Sequence, residues 1–215
     1  MLAVQLNQVS KRIKGREVLS DVTLSIEKGK IVGFVGRNGS GKSMLFRVMT
    51  GLVKPTAGEV SIFGETLHRT ISFPRSVGLI LEKPGFLEHY SGFDNLKLLA
   101  DIQRKIGPER IKESMVQVGL DPGDRRHVKA YSLGMKQKLA IAQAIMEEPE
   151  LILLDEPTNG LDEDSVKKVY DLIKKENERG ATILLTSHHK ADIETLCHEV
   201  YKVDAGKVSK VEGSS

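Results

Sequence analysis

Apolar residues recur along the chain in runs of strand length, separated by stretches with helical spacing. Val22, Leu24 and Ile26 alternate with polar neighbours, so VTLSIEKG (22–29) reads as a half-exposed strand closed by a Lys-Gly turn. IVGFVG (31–36) is almost continuously apolar, the pattern of a strand covered on both faces. A glycine-rich segment follows, then LFRVMTG (45–51), where Gly51 suits the position just past a helix C-terminus. GEVSIFGE (58–65) and SVGLILE (76–82) supply two more strands. From Ser91 to about Ala130 the period changes: NLKLLADIQRKIG and PERIKESMVQVGL both show helical spacing with no strand between them. MKQKLAIAQAIMEEP (135–149) is a helix stopped by Pro149, and LILLDEP (151–157) is a second buried strand. SVKKVYDLIKKENERG (165–180) reads as a long helix closed by Gly180, and ATILLTS (181–187) as a third buried strand. KADIETLCHEV and YKVDAGKV precede a polar tail.

Buried strands alternating with helices predict an α/β chain with a mostly parallel central sheet and helices on both faces. No repeat, linker or low-complexity stretch divides it. Residues 1–215 therefore read as a single domain carrying an inserted helical subdomain, about 88–148.

Composition narrows the class without naming a chemistry. A chain of 215 residues can bury a sizeable core, and 40% hydrophobic with 28% charged residues excludes disorder as the main state. Thirty-two basic against 29 acidic residues leave +3, too mild to imply nucleic acid or an anionic lipid surface as partner. No apolar run approaches the roughly 20 residues that cross a bilayer. The N-terminal stretch carries its charges after its apolar residues, the reverse of a secretion signal. Cys197, the single cysteine, cannot form an internal disulfide and suits a cytosolic setting.

The chemistry begins at Gly36, Arg37, Asn38, Gly39, Ser40, Gly41, Lys42 and Ser43, which fit the phosphate-loop pattern between a buried strand and a helix. Glycines let the backbone bend tightly and aim N–H groups at phosphate oxygens. Lys42 would neutralise the β- and γ-phosphates, and the Ser43 hydroxyl would ligate Mg²⁺. The pattern predicts binding of a nucleoside triphosphate. LILLDEP then ends a buried strand in two carboxylates, where ligands sit in open α/β sheets. Asp155 can hold Mg²⁺, and Glu156 can polarise the water that attacks the γ-phosphate.

Two further features are ambiguous from the residues alone. Ser132 to Gln137 begins a helix, which suits either an ordinary N-cap or a small anion site built on Ser132 and Gly134. His188, just past the third buried strand, suits either a solvated surface position or contact with a bound phosphate.

The phosphate loop, YSLGMKQK (131–138), LILLDEPTNGLD (151–162) and Thr186-Ser187-His188 stand in the order and spacing of an ATP-binding cassette (ABC) ATPase. The resemblance spans nearly the whole chain. It implies a phosphate-loop NTPase of ABC type with an N-terminal antiparallel β subdomain and the inserted helices. It also implies ATP and Mg²⁺ as cofactors. In that family the signature segment, here Tyr131 to Gln137, closes over the γ-phosphate held by the opposite copy, so two nucleotides are sandwiched in a head-to-tail homodimer. The resemblance assigns Glu156 as catalytic base, His188 as switch histidine and Asp162 to the loop linking the two sites. The signature departs from the commonest Leu-Ser-Gly-Gly-Gln spelling at Tyr131, Leu133 and Met135, while keeping Ser132 and Gly134.

Two departures carry expectations. Where most of the family has a glutamine that touches Mg²⁺ and senses the membrane partner, this chain has Glu82. A carboxylate binds Mg²⁺ more strongly than an amide. Glu82 with this signature spelling looks like the ATPases of bacitracin and lantibiotic self-protection exporters. Secondly, Ile13 falls near the position where the family stacks an aromatic residue on adenine, which predicts weak base selectivity.

The resemblance thus implies the Mg-dependent ATPase subunit of an exporter of a drug or antimicrobial peptide. It would sit peripherally on the cytoplasmic face of the cell membrane, with integral membrane permease subunits as separate chains and no nucleic acid partner. The alternatives are a soluble ABC ATPase acting on nucleic acid or ribosomes, and a phosphate-loop kinase. The first usually carries two cassettes or a long coiled coil, and the second leaves the signature and His188 without a role.

Overall fold

The computed structural model describes residues 1–81 and 85–211. Two long strands open the chain, β1 (Leu2–Ile13) and β2 (Arg16–Glu27). They pair antiparallel through a two-residue turn at Lys14 and Gly15, both at positive φ as such hairpins require. The apolar pattern leaves β1 unassigned. Its register shifts between Leu6 and Val9 and again up to Arg12, and Gln8 takes a φ of 50°, so bulges break the alternation that would have marked it.

After β3 (Ile31–Val35) come α1 (Lys42–Met49), β4 (Ala57–Ile62), β5 (Glu65–Thr66) and β6 (Val77–Ile80). Between β6 and the next strand lie α2 (Gly92–Gln103), α3 (Pro108–Gln117), a short 3₁₀ turn (Val128–Ala130) and α4 (Leu133–Ile145). The chain closes with β7 (Leu151–Asp155), α5 (Glu163–Glu178), β8 (Thr182–Thr186), α6 (Lys190–Leu196), β9 (Glu199–Asp204) and β10 (Lys207–Lys210). Helix boundaries follow local chemistry. Ser91 accepts from Asp94 N at 3.1 Å to cap α2, Asp162 accepts from Ser165 N at 2.8 Å to cap α5, and Gly180 ends α5 at φ 103°.

Two sheets result. One is antiparallel in the order β2-β1-β4-β5. The other runs β10-β9-β3-β8-β7-β6, parallel except for the terminal β10–β9 pair. The continuous apolar runs are explained by their two-sided burial. Val32, Phe34, Leu151, Leu153 and Leu184 face the core shared with the antiparallel sheet and α1, whereas Ile31, Ile152, Leu154, Ile183 and Leu185 face the helical side. Successive residues thus point into different cores, and β3, β7 and β8 bring their C-terminal ends side by side.

Candidate functional site

The loop from Gly36 to Gly41 joins β3 to α1 and is shaped by close backbone approach. A Cβ on Gly36 would stand 2.1 Å from the Val203 carbonyl oxygen, so only glycine fits. Gly41 precedes α1 at φ 115° with no capping side chain, and no acidic residue lies in the first turn. The N-terminal N–H groups and the positive end of the helix therefore face outward as an anion cradle. Lys42 is 7% exposed, and its Nζ donates to Gly36 O at 2.6 Å and Arg37 O at 3.2 Å, curling the ammonium over the loop.

The ends of β7 and β8 face this loop. Ser43 Oγ donates to Asp155 Oδ2 at 2.9 Å, and Thr186 Oγ1 donates to Asp155 Oδ1 at 2.5 Å. Glu156 takes a left-handed φ of 53°, an unfavourable conformation for a non-glycine residue that typically costs about 1–3 kcal/mol. It is held there by its N–H, which donates to Thr186 O at 3.2 Å and Thr186 Oγ1 at 3.1 Å. The turn directs the carboxylate at His188. The His188 N–H donates to Glu156 Oε2 at 3.1 Å, and His188 Nε2 lies 3.0 Å from Glu156 Oε1.

The signature segment sits on α4. Ser132 Oγ accepts from Met135 N at 3.2 Å, so within one chain it is an N-cap. Tyr131 is buried, with Arg126 over its ring, and Met135 packs against the helical core, which accounts for two of the unusual spellings. Leu133, the third, is exposed and lies against Gly160, where a Cβ would approach its Cδ2 to 2.8 Å. Gln137 Nε2 donates to the Glu156 carbonyl at 3.1 Å and the Pro157 carbonyl at 2.9 Å, tying α4 to the carboxylate-bearing turn. Ser165 N–H and hydroxyl bonds hold the Asp162 carboxyl below its usual range.

A cleft of about 750 Å³ unites these parts. Asn38, Gly39, Gly41, Lys42, Ser43, Asp155, Glu156 and His188 line it as the sequence leads one to expect. Gly36, Arg37 and Ser40 shape the loop without lining the cleft, and Ser132 and Gly134 flank the lining residue Leu133 without lining the cleft themselves. Glu82 lies outside the described residues. Val18, Met44 and Asn159 also line the cleft without a sequence assignment, and so do Leu133 and Gln137, which the resemblance places in the signature facing the opposite copy. Ile13, near the expected base-stacking position, is at the tip of the first hairpin, and Val18 on β2 lines the cleft instead.

The residues fit a nucleoside triphosphate with a hard divalent cation. The cradle admits no Cβ at Gly36, a buried lysine spans it, and two oxygen donors, Ser43 and Asp155, already meet at its edge. Among the described residues no group of three His, Cys, Asp or Glu could hold a metal on its own. Mg²⁺ binds through one or two protein oxygens together with phosphate and water, as Ser43 and Asp155 could supply.

Known proteins resemble this chain. Residues 19–159 match the ABC transporter family. The uncharacterized ABC transporter ATP-binding protein YybJ of Bacillus subtilis (strain 168) is 46% identical over 209 residues, covering 97% of this chain and 96% of that protein. The bacitracin transport ATP-binding protein BcrA of Enterococcus faecalis is 36% identical over 219 residues, covering 97% of this chain and 70% of its own length. Among solved structures, the dimeric ATP-binding cassette MJ0796 in a post-hydrolysis state with ADP and Pi superposes with a TM-score of 0.87. It is 25% identical and covers 98% of this chain and 99% of its own.

Proposed function

The chain belongs to the ABC transporter ATP-binding family, and from that premise we propose that it powers export of a peptide antibiotic or related drug through separate membrane permease subunits. The observation that carries the hydrolytic part is the Glu156–His188 pair facing the phosphate loop across one cleft. Similarity to the bacitracin transport protein, together with the Tyr-Ser-Leu-Gly-Met-Lys-Gln signature and Glu82, supports the cargo class.

Lys42 and the loop N–H groups hold and neutralise the β- and γ-phosphates. Ser43 and Asp155 would hold Mg²⁺, which when bound supplies further charge neutralisation. Glu156 accepts the proton of the attacking water, and His188 fixes the Glu156 carboxylate and reaches the γ-phosphate. Ser132 and Gly134 do not line their own cleft and serve the opposite copy in a head-to-tail dimer. The dimeric MJ0796 structure supports that arrangement. The chain acts as one ABC unit over 1–215, with the helices of 88–148 as its insertion, on the cytoplasmic face of the membrane. No helix among the described residues is long and apolar enough to cross a bilayer.

The test is a mild-detergent pull-down of tagged Glu156→Gln from its native cells. Recovery of a multispanning hydrophobic protein is expected; recovery of ribosomes, nucleic acid or soluble proteins alone would contradict the transporter reading. In the recovered complex, Glu82→Gln and Glu82→Ala are expected to uncouple hydrolysis from substrate, and unchanged substrate-stimulated turnover in both would remove Glu82 from the coupling.

A further inference from the structure

A buried carboxylate lies behind the Glu156–His188 pair, outside the cleft. Asp192 on α6 is 2% exposed. Thr158 Oγ1 and Ser187 Oγ each donate to its Oδ2 at 2.6 Å, and the Tyr170 hydroxyl donates to its Oδ1. A buried carboxylate is costly unless its oxygens are well hydrogen-bonded, so these donors make its position tolerable and fix it. Burial and the bond to Asp192 both push the Tyr170 phenol up, which keeps it a donor.

The two hydroxyls on Oδ2 come from the two turns that build the hydrolytic pair. Thr158 is two residues past Glu156 and directly precedes Asn159, which lines the cleft. Ser187 directly precedes His188, and its Oγ also accepts from His189 N at 2.9 Å, so the hydroxyl is oriented toward the carboxylate. Tyr170 belongs to α5, and its hydroxyl bonds the other oxygen of Asp192. One oxygen of Asp192 therefore spans the ends of β7 and β8, and the other anchors α6 to α5.

We propose that Asp192 is a positioning residue, its Oδ2 holding the Thr158 and Ser187 turns at the separation at which His188 meets Glu156. This rests on reading Glu156 and His188 as the hydrolytic pair. A shift of about 1 Å in such a pair can lower a rate by about a hundredfold. Tyr170 supplies an internal control, because its hydroxyl bonds the same carboxylate without touching the site.

The test is steady-state ATP hydrolysis by the full chain, with thermal unfolding of each variant, at a temperature well below every Tm. Asp192→Asn, Thr158→Val and Ser187→Ala are each expected to lower kcat by about tenfold or more, with KM for ATP within about twofold. Tyr170→Phe is expected to lower Tm while leaving kcat within about twofold. Thr158→Val added to Asp192→Asn is expected to cost little beyond either alone, since both cut the same link. Should Asp192→Asn fail to fold, the two hydroxyl variants carry the test. The proposal is overturned if Thr158→Val and Ser187→Ala keep kcat within about twofold, or if kcat follows Tm across all variants including Tyr170→Phe. Glu156→Gln in the same assay separates the failures. If it retains hydrolysis, the underlying reading falls; if it alone is inactive, only the Asp192 proposal falls.

Discussion

The Ser43 hydroxyl donates to Asp155 Oδ2 at 2.9 Å, joining the first turn of α1 to the end of β7. Asp155 Oδ1 is already engaged by Thr186, so the carboxylate is fixed in orientation and presents oxygen beside the phosphate cradle. Two oxygen donors held this way suit a small hard cation that keeps most of its shell as water and phosphate.

Removing the Asp155 charge should therefore affect metal-dependent turnover more than nucleotide binding. Asp155→Asn is expected to lower hydrolysis by about a hundredfold or more, and EDTA to abolish it in the wild type, while a fluorescent ATP analogue still binds measurably. Hydrolysis that survives EDTA would contradict the assignment of Ser43 and Asp155.

Glycine substitutions should separate close contact from backbone strain. A Cβ on Gly78 would lie 1.8 Å from the Ala144 carbonyl oxygen, inside the packing of β6 against α4. Gly78→Ala is expected to cost about 2–3 kcal/mol in denaturant unfolding. Gly15 sits at φ 79° with open space around it, so Gly15→Ala pays only for conformation, about 1 kcal/mol. Equal losses at the two positions would contradict this packing.

Nucleotide selectivity should be weak. The cleft wall on β2 offers Val18, and among the described residues no Phe, Tyr or Trp lines the cleft to stack on a base. Base stacking on an aromatic side chain contributes roughly 1–3 kcal/mol in nucleic-acid complexes. GTP is expected to support hydrolysis at a kcat/KM within about tenfold of ATP. A larger ATP preference, measured in parallel assays, would show that other cleft residues read the base.

Cys197 should be inert while the chain is folded. Burial first, and then the Asp192 charge, push its thiol from the usual 9.0 up to about 12. The thiolate is the reactive form, so iodoacetamide at pH 9 is expected to label the native chain about a hundredfold more slowly than the urea-unfolded chain. The sign for stability follows. From 9 to 12 the unfolded chain releases this proton before the folded one, so the group's contribution is complete below 9 and is lost as pH rises toward 12. Equal labelling rates would contradict the burial of this thiol.

Much of the fold was legible because β3, β7 and β8 are unbroken apolar runs and α1, α4 and α5 are followed by Gly51, Pro149 and Gly180. β1 was not, because its bulges scramble the period of two. The phosphate loop and the Asp155–Glu156 pair were legible as motifs with a physical reason for each residue type. The roles of Gln137 and Asp192 were not. Each acts through a contact made some twenty or thirty residues away, to the Glu156 carbonyl and to Thr158, which leaves no local signature. Val18 lines the cleft, whereas Ile13, near the expected base-stacking position, pairs with Arg16 at the tip of the hairpin and does not line it. The role proposed for Ser132 and Gly134 rests on family resemblance alone, since in one chain Ser132 caps α4 and neither residue lines the cleft.

On the proposed function, this chain completes its site only with a second copy, whose signature closes over the γ-phosphate held beside Glu156. Sedimentation velocity of Glu156→Gln with and without ATP and Mg²⁺ tests it most directly. A monomer is expected without nucleotide and a dimer with it, and adding Ser132→Arg to the same chain is expected to return the monomer while nucleotide still binds. A nucleotide-bound Glu156→Gln that stays monomeric, or a dimer indifferent to Ser132→Arg, would contradict the account.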